Sequence, residues 1–144
     1  MKVLFDTSVL VAALVVSHPN NSACFPQLKA AESKQIKGFL STHSLAETYS
    51  VITRLPIQPR IHPQEAQGII VDVLQYLEAI PLLSNDYKIA IAQMANLNIP
   101  GGGIFDALIA QAAMKAEVDV ILTLNPNHFT RLESAIAHLV QVPQ

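Results

Sequence analysis

The stretch Val3-Leu4-Phe5-Asp6-Thr7-Ser8 places three apolar residues directly before an acid and two hydroxyl residues. So short an apolar run, followed by residues that favour helix starts, predicts a buried strand leading into a helix. The next apolar run, residues 9–16, predicts that helix, which ends at His18-Pro19. Because such strands are buried on both faces and alternate with helices, they predict a parallel sheet flanked by helices, an α/β fold.

The same alternation of helices and strands continues along the chain. Helices are predicted at residues 22–35, 44–55, 64–79, 87–97 and 104–117, and strands at 38–42, 80–83, 118–123 and 139–142. The clearest helix is 64–79, in which apolar residues from Ala66 to Leu77 form one continuous stripe. Pro81 indicates that the strand at 80–83 lies at an edge of the sheet or begins there. We therefore expect a central sheet of four or five short strands in a single domain, residues 1–144.

Composition excludes several classes of protein. Only 14% of the residues are charged, against a usual ~25%, which excludes a disordered polar chain. The net charge of −2 excludes a polybasic nucleic-acid binder. The single cysteine, Cys24, excludes an intramolecular disulfide and a cysteine-based zinc cluster. No apolar run reaches the ~18 residues of a membrane helix, and Asp6 interrupts the one stretch that imitates a signal peptide. We expect a cytoplasmic protein with no membrane association.

Three acids follow predicted strands, where ligands bind in open α/β sheets. Asp6 comes directly after the first strand, Glu47 lies early in helix 44–55, and Asp106 lies in the first turn of helix 104–117. Taken singly, they are also explained as a helix cap, a solvated helix residue and a partner of the helix dipole. However, Glu47 and Asp106 stand among apolar residues, where a charge is costly unless it is paired or bound to a metal. These acids are therefore candidate site residues.

Four segments resemble, in order, the four motifs of PIN domains. They are residues 3–10 (VLFDTSVL), 44–55 (SLAETYSVITRL), 103–113 (GIFDALIAQAA) and 120–129 (VILTLNPNHF). Each motif is weak alone, but four in this order over nearly the whole chain are a strong signal. By size, the chain is most similar to the VapC-type toxins, which are small PIN ribonucleases.

The resemblance implies a metal-dependent endoribonuclease that hydrolyses RNA phosphodiester bonds. It implies that Asp6, Glu47 and Asp106 are the catalytic acids and hold Mg²⁺, for which Mn²⁺ can substitute. We expect Asp6 and Asp106 to contact the metal directly, and Glu47 to act through water. Ser8, Thr123 and Asn125 are expected to support the acids or their waters from behind. The residue types agree, because hard divalent cations prefer oxygen ligands.

The last motif departs from the common family pattern. Many members carry a second Asp after the conserved Thr, whereas this chain has Asn125. The amide removes one negative charge and favours one bound metal over two. It also motivates an alternative, a catalytically weak or inactive PIN-fold binding or regulatory module. A third interpretation, a phosphatase or phosphotransferase with Asp6 as nucleophile, would need an acid two residues on, where Ser8 stands.

The resemblance also implies partners, namely an RNA substrate, a small antitoxin protein and a second copy in a homodimer. The mean hydropathy of +0.35 suits a protein with apolar surface for a partner to cover, although a large core explains it too. A glycine loop at 101–103 is either a hinge or a place of close phosphate approach. Candidate phosphate contacts, each also explained as a solvated surface charge, are Lys2, Lys29, Lys34, Lys37, Arg54, Arg60 and Lys88.

Overall fold

A computed structural model describes residues 1–144 and contains one five-stranded sheet. All neighbouring strands are parallel, in the order β3-β2-β1-β4-β5. The predicted α/β fold with a parallel sheet flanked by helices is confirmed. The strands are β1 Lys2–Phe5, β2 Lys37–Ser41, β3 Leu77–Ile80, β4 Val120–Leu122 and β5 Val140–Gln141.

Helices fill the connections between the strands. The first six are α1 Thr7–Leu14, α2 Asn21–Glu32, α3 Thr42–Arg54, α4 Pro63–Val73, α5 Ser84–Asn96 and α6 Gly103–Ala116. Two short helices, α7 Pro126–Thr130 and α8 Ser134–Ala137, lie in the connection that leads to β5. None of these helices is both long and apolar enough to cross a membrane.

The predicted helix 64–79 is wrong in its second half. Helix α4 ends at Val73, and residues 77–80 form strand β3. The apolar stripe that predicted the helix extended to Leu77, the first residue of this strand. The strand predicted at 80–83 therefore begins earlier and ends before Pro81, although β3 does lie at an edge of the sheet. Pairing with β2 decides the outcome, because Leu77 pairs with Gly38 and packs where a side chain on that glycine would clash with it.

The core lies on both faces of the sheet. Side chains alternate along each strand, so Val3 and Phe5 pack with α1 and α2 on one face, while Leu4 packs with α5 and α6 on the other. Because all five strands are parallel, their carboxyl ends lie together at one end of the sheet. The segments that follow β1 and β4 are joined there by a hydrogen-bond network around Asp6.

Candidate active site

The three predicted acids line one open cavity of about 780 Å³ at the carboxyl ends of the strands, called the acidic cavity below. Asp6 lies between β1 and α1, Glu47 lies in the second turn of α3, and Asp106 lies in the first turn of α6. Of the predicted supporting residues, Ser8 and Asn125 line the cavity, while Thr123 is buried beneath it. Other lining residues include His18, Asn20, Gly102, Gly103, Phe105, His128 and Arg131.

Asp6 is buried and held by two hydroxyl groups. Ser8 Oγ donates to Asp6 Oδ2 at 2.7 Å, and Thr123 Oγ1 donates to the same oxygen at 2.8 Å. The carboxylate does not cap α1, so the alternative interpretation of this side chain as a helix cap is wrong. Burial raises the pKa of Asp6 above its ordinary value, and the hydrogen bonds from Ser8 and Thr123 offset only part of that effect.

The two hydroxyl groups that hold Asp6 are themselves held by backbone. Ser8 Oγ accepts from Leu124 N at 3.1 Å, and Thr123 Oγ1 accepts from Asn125 N at 3.0 Å. Each hydroxyl has one proton, which is thereby directed to the carboxylate. The segment after β4 thus fixes the position of an acid that lies more than a hundred residues earlier in the chain.

Glu47 is oriented by Thr7, a residue whose role the sequence analysis missed. Thr7 Oγ1 lies 2.6 Å from Glu47 Oε1 and 2.9 Å from Ser44 Oγ. Thr7 Oγ1 is placed to donate to either oxygen. Because it has one proton and the carboxylate is the closer acceptor, we assign that proton to Glu47. His43 Nε2 lies 3.8 Å from Glu47 Oε1, which follows from their spacing of one helical turn.

Asp106 lies beside His128 and Arg131, neither of which is among the predicted phosphate contacts. His128 Nδ1 is 3.4 Å and Arg131 Nη2 is 3.9 Å from Asp106 Oδ2. Burial first, and then the charge of Asp6, raise the pKa of Asp106 to about 6, although His128 and Arg131 lower it in part. The available signal was the three-residue spacing between His128, within the last motif, and Arg131, just after it.

The donor set suits a hard divalent cation. Its acidic and amide side chains offer only oxygen ligands, and burial with mutual repulsion raises the pKa of both Asp6 and Asp106. A nearby cation would relieve that repulsion. No three acidic, histidine or cysteine side chains converge closely enough to bind one ion by themselves. Side chains that stand this far apart suit Mg²⁺, which keeps several waters and usually binds only one or two carboxylates.

The predicted phosphate contacts Lys29, Lys34 and Lys37 do not line this cavity. Lys34 and Lys37 line a separate cavity of about 860 Å³ near the starts of β2 and β3, at the opposite end of the sheet. Lys29 Nζ pairs with Glu32 Oε2 at 2.6 Å. None of the seven candidate phosphate contacts lines the acidic cavity, where Arg131 is the lining lysine or arginine residue.

Comparisons with known proteins agree with the fold and the motifs. The model of the family described as PIN domain matches residues 3–134. The chain is 32% identical over 115 residues to ribonuclease VapC27 of Mycobacterium tuberculosis, an alignment that covers 80% of this chain and 79% of that protein.

Two solved structures share the fold. VapBC2 from Rickettsia felis, bound to a DNA fragment from its promoter, has a TM-score of 0.69 at 20% identity and covers 100% of both chains. Mycobacterium tuberculosis VapC20, a toxin that cleaves the sarcin-ricin loop, has a TM-score of 0.66 at 15% identity, with 83% of this chain and 86% of that chain covered. At these identities the two structures support the architecture alone.

Proposed function

The chain belongs to the PIN domain family, and on that premise we propose that it is a metal-dependent endoribonuclease that hydrolyses RNA phosphodiester bonds. The observation that carries the proposal is the meeting of Asp6, Glu47 and Asp106 in one cavity. Burial and mutual repulsion raise the pKa of both aspartates there. Such a cavity is suited to a divalent cation and to the phosphate that the cation would bring with it.

In this proposal Asp6 and Asp106 hold Mg²⁺, or Mn²⁺ in its place, and Asn125 adds a neutral oxygen. When bound, the ion neutralises phosphate charge and lowers the pKa of a water molecule. Ser8 and Thr123 keep Asp6 in position through their hydrogen bonds to its carboxylate. Glu47, held by its hydrogen bond from Thr7, orients the attacking water.

The experiment is cleavage of a mixed RNA pool, after any co-purified antitoxin is removed. We expect cuts with Mg²⁺ or Mn²⁺, no cuts with EDTA, and none with Asp6→Asn or Asp106→Asn. Asp72→Asn is the matched control, because it makes the same carboxylate-to-amide change at an exposed residue of α4 outside the acidic cavity. Equal cleavage by the unsubstituted protein and both site variants would identify a contaminating nuclease and contradict the proposal.

A second candidate function is a catalytically weak or inactive binding module. Asn125 favours it, since the amide lines the cavity where many family members carry a fourth acid. Calorimetry with Mn²⁺ separates the two functions. A nuclease should bind Mn²⁺ and lose that binding in Asp6→Asn, whereas an inactive module should bind it poorly from the start.

We also propose that the chain is the toxin of a cytoplasmic toxin–antitoxin pair and forms a homodimer. The support is its similarity to VapC ribonucleases, and several solved structures with this fold are VapBC and FitAB toxin–antitoxin complexes. Native mass spectrometry of the purified chain tests the homodimer, because a monomer at micromolar concentration would contradict it. Growth arrest on expression, relieved by Asp106→Asn, tests the toxin.

A further inference from the structure

Phe105 is an exposed aromatic residue inside the acidic cavity. It directly precedes Asp106 in the first turn of α6 and lines the same cavity as Asp6 and Glu47. The residue is 44% exposed, whereas the next apolar residues of the helix are buried. Single exposed apolar side chains are common on protein surfaces, so the exposure acquires meaning only from what surrounds the ring.

His43 holds the ring of Phe105 in place. The two rings stack with their centroids 4.9 Å apart and their planes 11° from parallel. His43 therefore covers part of one face of the ring, while Phe105 as a whole stays 44% exposed. Gly102 also lines the cavity, and a Cβ atom there would lie 3.9 Å from Phe105 Cδ2. Because Gly102 has no side chain, the ring lacks that contact.

Most of the residues that line the cavity around the ring are polar or glycine, and they include acidic side chains and Arg131. Arg131 and His128 lie on the Asp106 side of the cavity, with Arg131 Nη2 3.9 Å from Asp106 Oδ2. Proteins that bind single-stranded nucleic acid combine cationic groups for the backbone with aromatic faces on which bases stack. A protein segment docking here would need a continuous apolar surface. Only Phe105 and three aliphatic residues, Val11, Val51 and Leu124, are hydrophobic among the 16 residues that line this cavity. The ring matches one nucleobase better than an apolar peptide.

We propose that Phe105, backed by His43, is a stacking platform for one unpaired nucleobase beside the scissile phosphate. The proposal rests on the proposed nuclease function and narrows its substrate to RNA that is unpaired at the cut. In a duplex both faces of a base are covered by its neighbours, so the base cannot stack on a protein ring without leaving the helix. Arg131 and His128 contact the adjoining phosphates.

The test uses short single-stranded RNA of random sequence that carries 2-aminopurine, whose fluorescence is quenched by stacking. Binding is measured with Ca²⁺ at low temperature, and the RNA is checked for integrity on a gel. Phe105→Leu keeps apolar bulk but removes the aromatic face, and Phe105→Tyr restores it. Phe25→Leu on α2 is the matched control, because Phe25 is 45% exposed and lies outside the cavity.

We expect quenching with the unsubstituted protein, Phe105→Tyr and Phe25→Leu. In Phe105→Leu the quenching should be lost and the Kd raised about tenfold, within the range for loss of one base–aromatic stack. Circular dichroism must show that Phe105→Leu is folded. The same variant should raise KM for cleavage far more than it lowers kcat.

Three results would overturn the stacking proposal. The first is a Kd of Phe105→Leu for the RNA equal to that of Phe25→Leu. The second is equal quenching by the protein when 2-aminopurine lies in an RNA duplex. The third is that Phe105→Leu weakens binding of a protein partner but not of RNA. Failure of the nuclease function gives a different pattern, since the unsubstituted protein would then quench 2-aminopurine yet cut no RNA with Mg²⁺ or Mn²⁺. Cleavage with an unchanged KM in Phe105→Leu would leave the nuclease intact and remove the stacking.

Discussion

Replacement of Asp106 by asparagine is expected to stabilise the metal-free protein at neutral pH while abolishing cleavage. Burial and the charge of Asp6 oppose ionisation of Asp106 in the folded state. Asparagine has nearly the same shape but no charge, so the substitution removes the free-energy cost of an ionised carboxylate at this position. Activity and stability therefore move in opposite directions, as expected where an active site holds repelling charges that a ligand relieves.

The size of the effect follows from the raised pKa of Asp106. The difference between its ordinary value of 3.8 and about 6 corresponds to ~3 kcal/mol at most. The side chain is 17% exposed, and water screens part of the repulsion, so we expect a gain of ~1–2 kcal/mol. For a domain of this size that gain raises Tm by roughly 3–6 °C.

The pH dependence has a definite sign. Folded protein with a raised carboxyl pKa binds a proton that the unfolded chain has released, so its unfolding free energy falls as pH rises from about 4 to 6. Below about pH 4 the Asp106 carboxyl is protonated in both states. The advantage of Asp106→Asn should therefore be full near pH 8 and disappear near pH 4.

The assay is urea unfolding with EDTA at both pH values, repeated at pH 8 with Mn²⁺. Saturating Mn²⁺ should stabilise the unsubstituted protein, by ~2.7 kcal/mol at 100 times its Kd, and leave Asp106→Asn nearly unchanged. Asp72→Asn should behave as the unsubstituted protein throughout. The reasoning is refuted if Asp106→Asn is the less stable protein at pH 8 with EDTA, or if its advantage is the same at both pH values.

Three further substitutions test one hydrogen bond of the site and two glycine positions outside it, each measured by urea unfolding. Thr123→Val removes the hydrogen bond to Asp6, so it should lower the free energy of unfolding by ~1–3 kcal/mol. It should also remove most of the cleavage rate, and unchanged cleavage would contradict the role given to Thr123. Gly38→Ala should cost at least ~1–3 kcal/mol, because its Cβ would clash with Leu77 and lie 3.0 Å from Ala31 Cβ. Gly68→Ala in α4 meets open space and should instead add ~0.5–1 kcal/mol; a loss would contradict the structure there.

Local patterns predicted the parts of the site that depend on one stretch of chain. A short apolar run ending in Asp6 predicted both β1 and an acid at its carboxyl end, and the structure has both. The lone acid of an apolar helix start predicted Asp106 as a site candidate, and it lines the cavity. The hydrogen bonds from Ser8 and Thr123 to Asp6 were also expected, although that expectation came from the resemblance.

Contacts between distant segments could not be predicted in the same way. The stack of His43 on Phe105 joins α3 to α6, and Arg131 approaches Asp106 only because α7 packs against α6. Neither contact leaves a periodic pattern in the sequence. Lys34 and Lys37 were predicted as phosphate contacts yet line the other cavity for the same reason, since a charge in the sequence does not show at which end of the strands it will lie.

By itself the sequence determined the α/β class, the acids that follow its strands and the order of its main helices, because apolar periodicity and strand-to-helix junctions are properties of neighbouring residues. Only the tertiary structure decided that residues 77–80 form a strand. Leu77 fits the apolar pattern of a helix as well as that of a strand. Which of the two forms depends on the pairing of Leu77 with Gly38 in β2. The same holds for the charges around Asp106, because repulsion and burial exist only once the folded chain brings those side chains together.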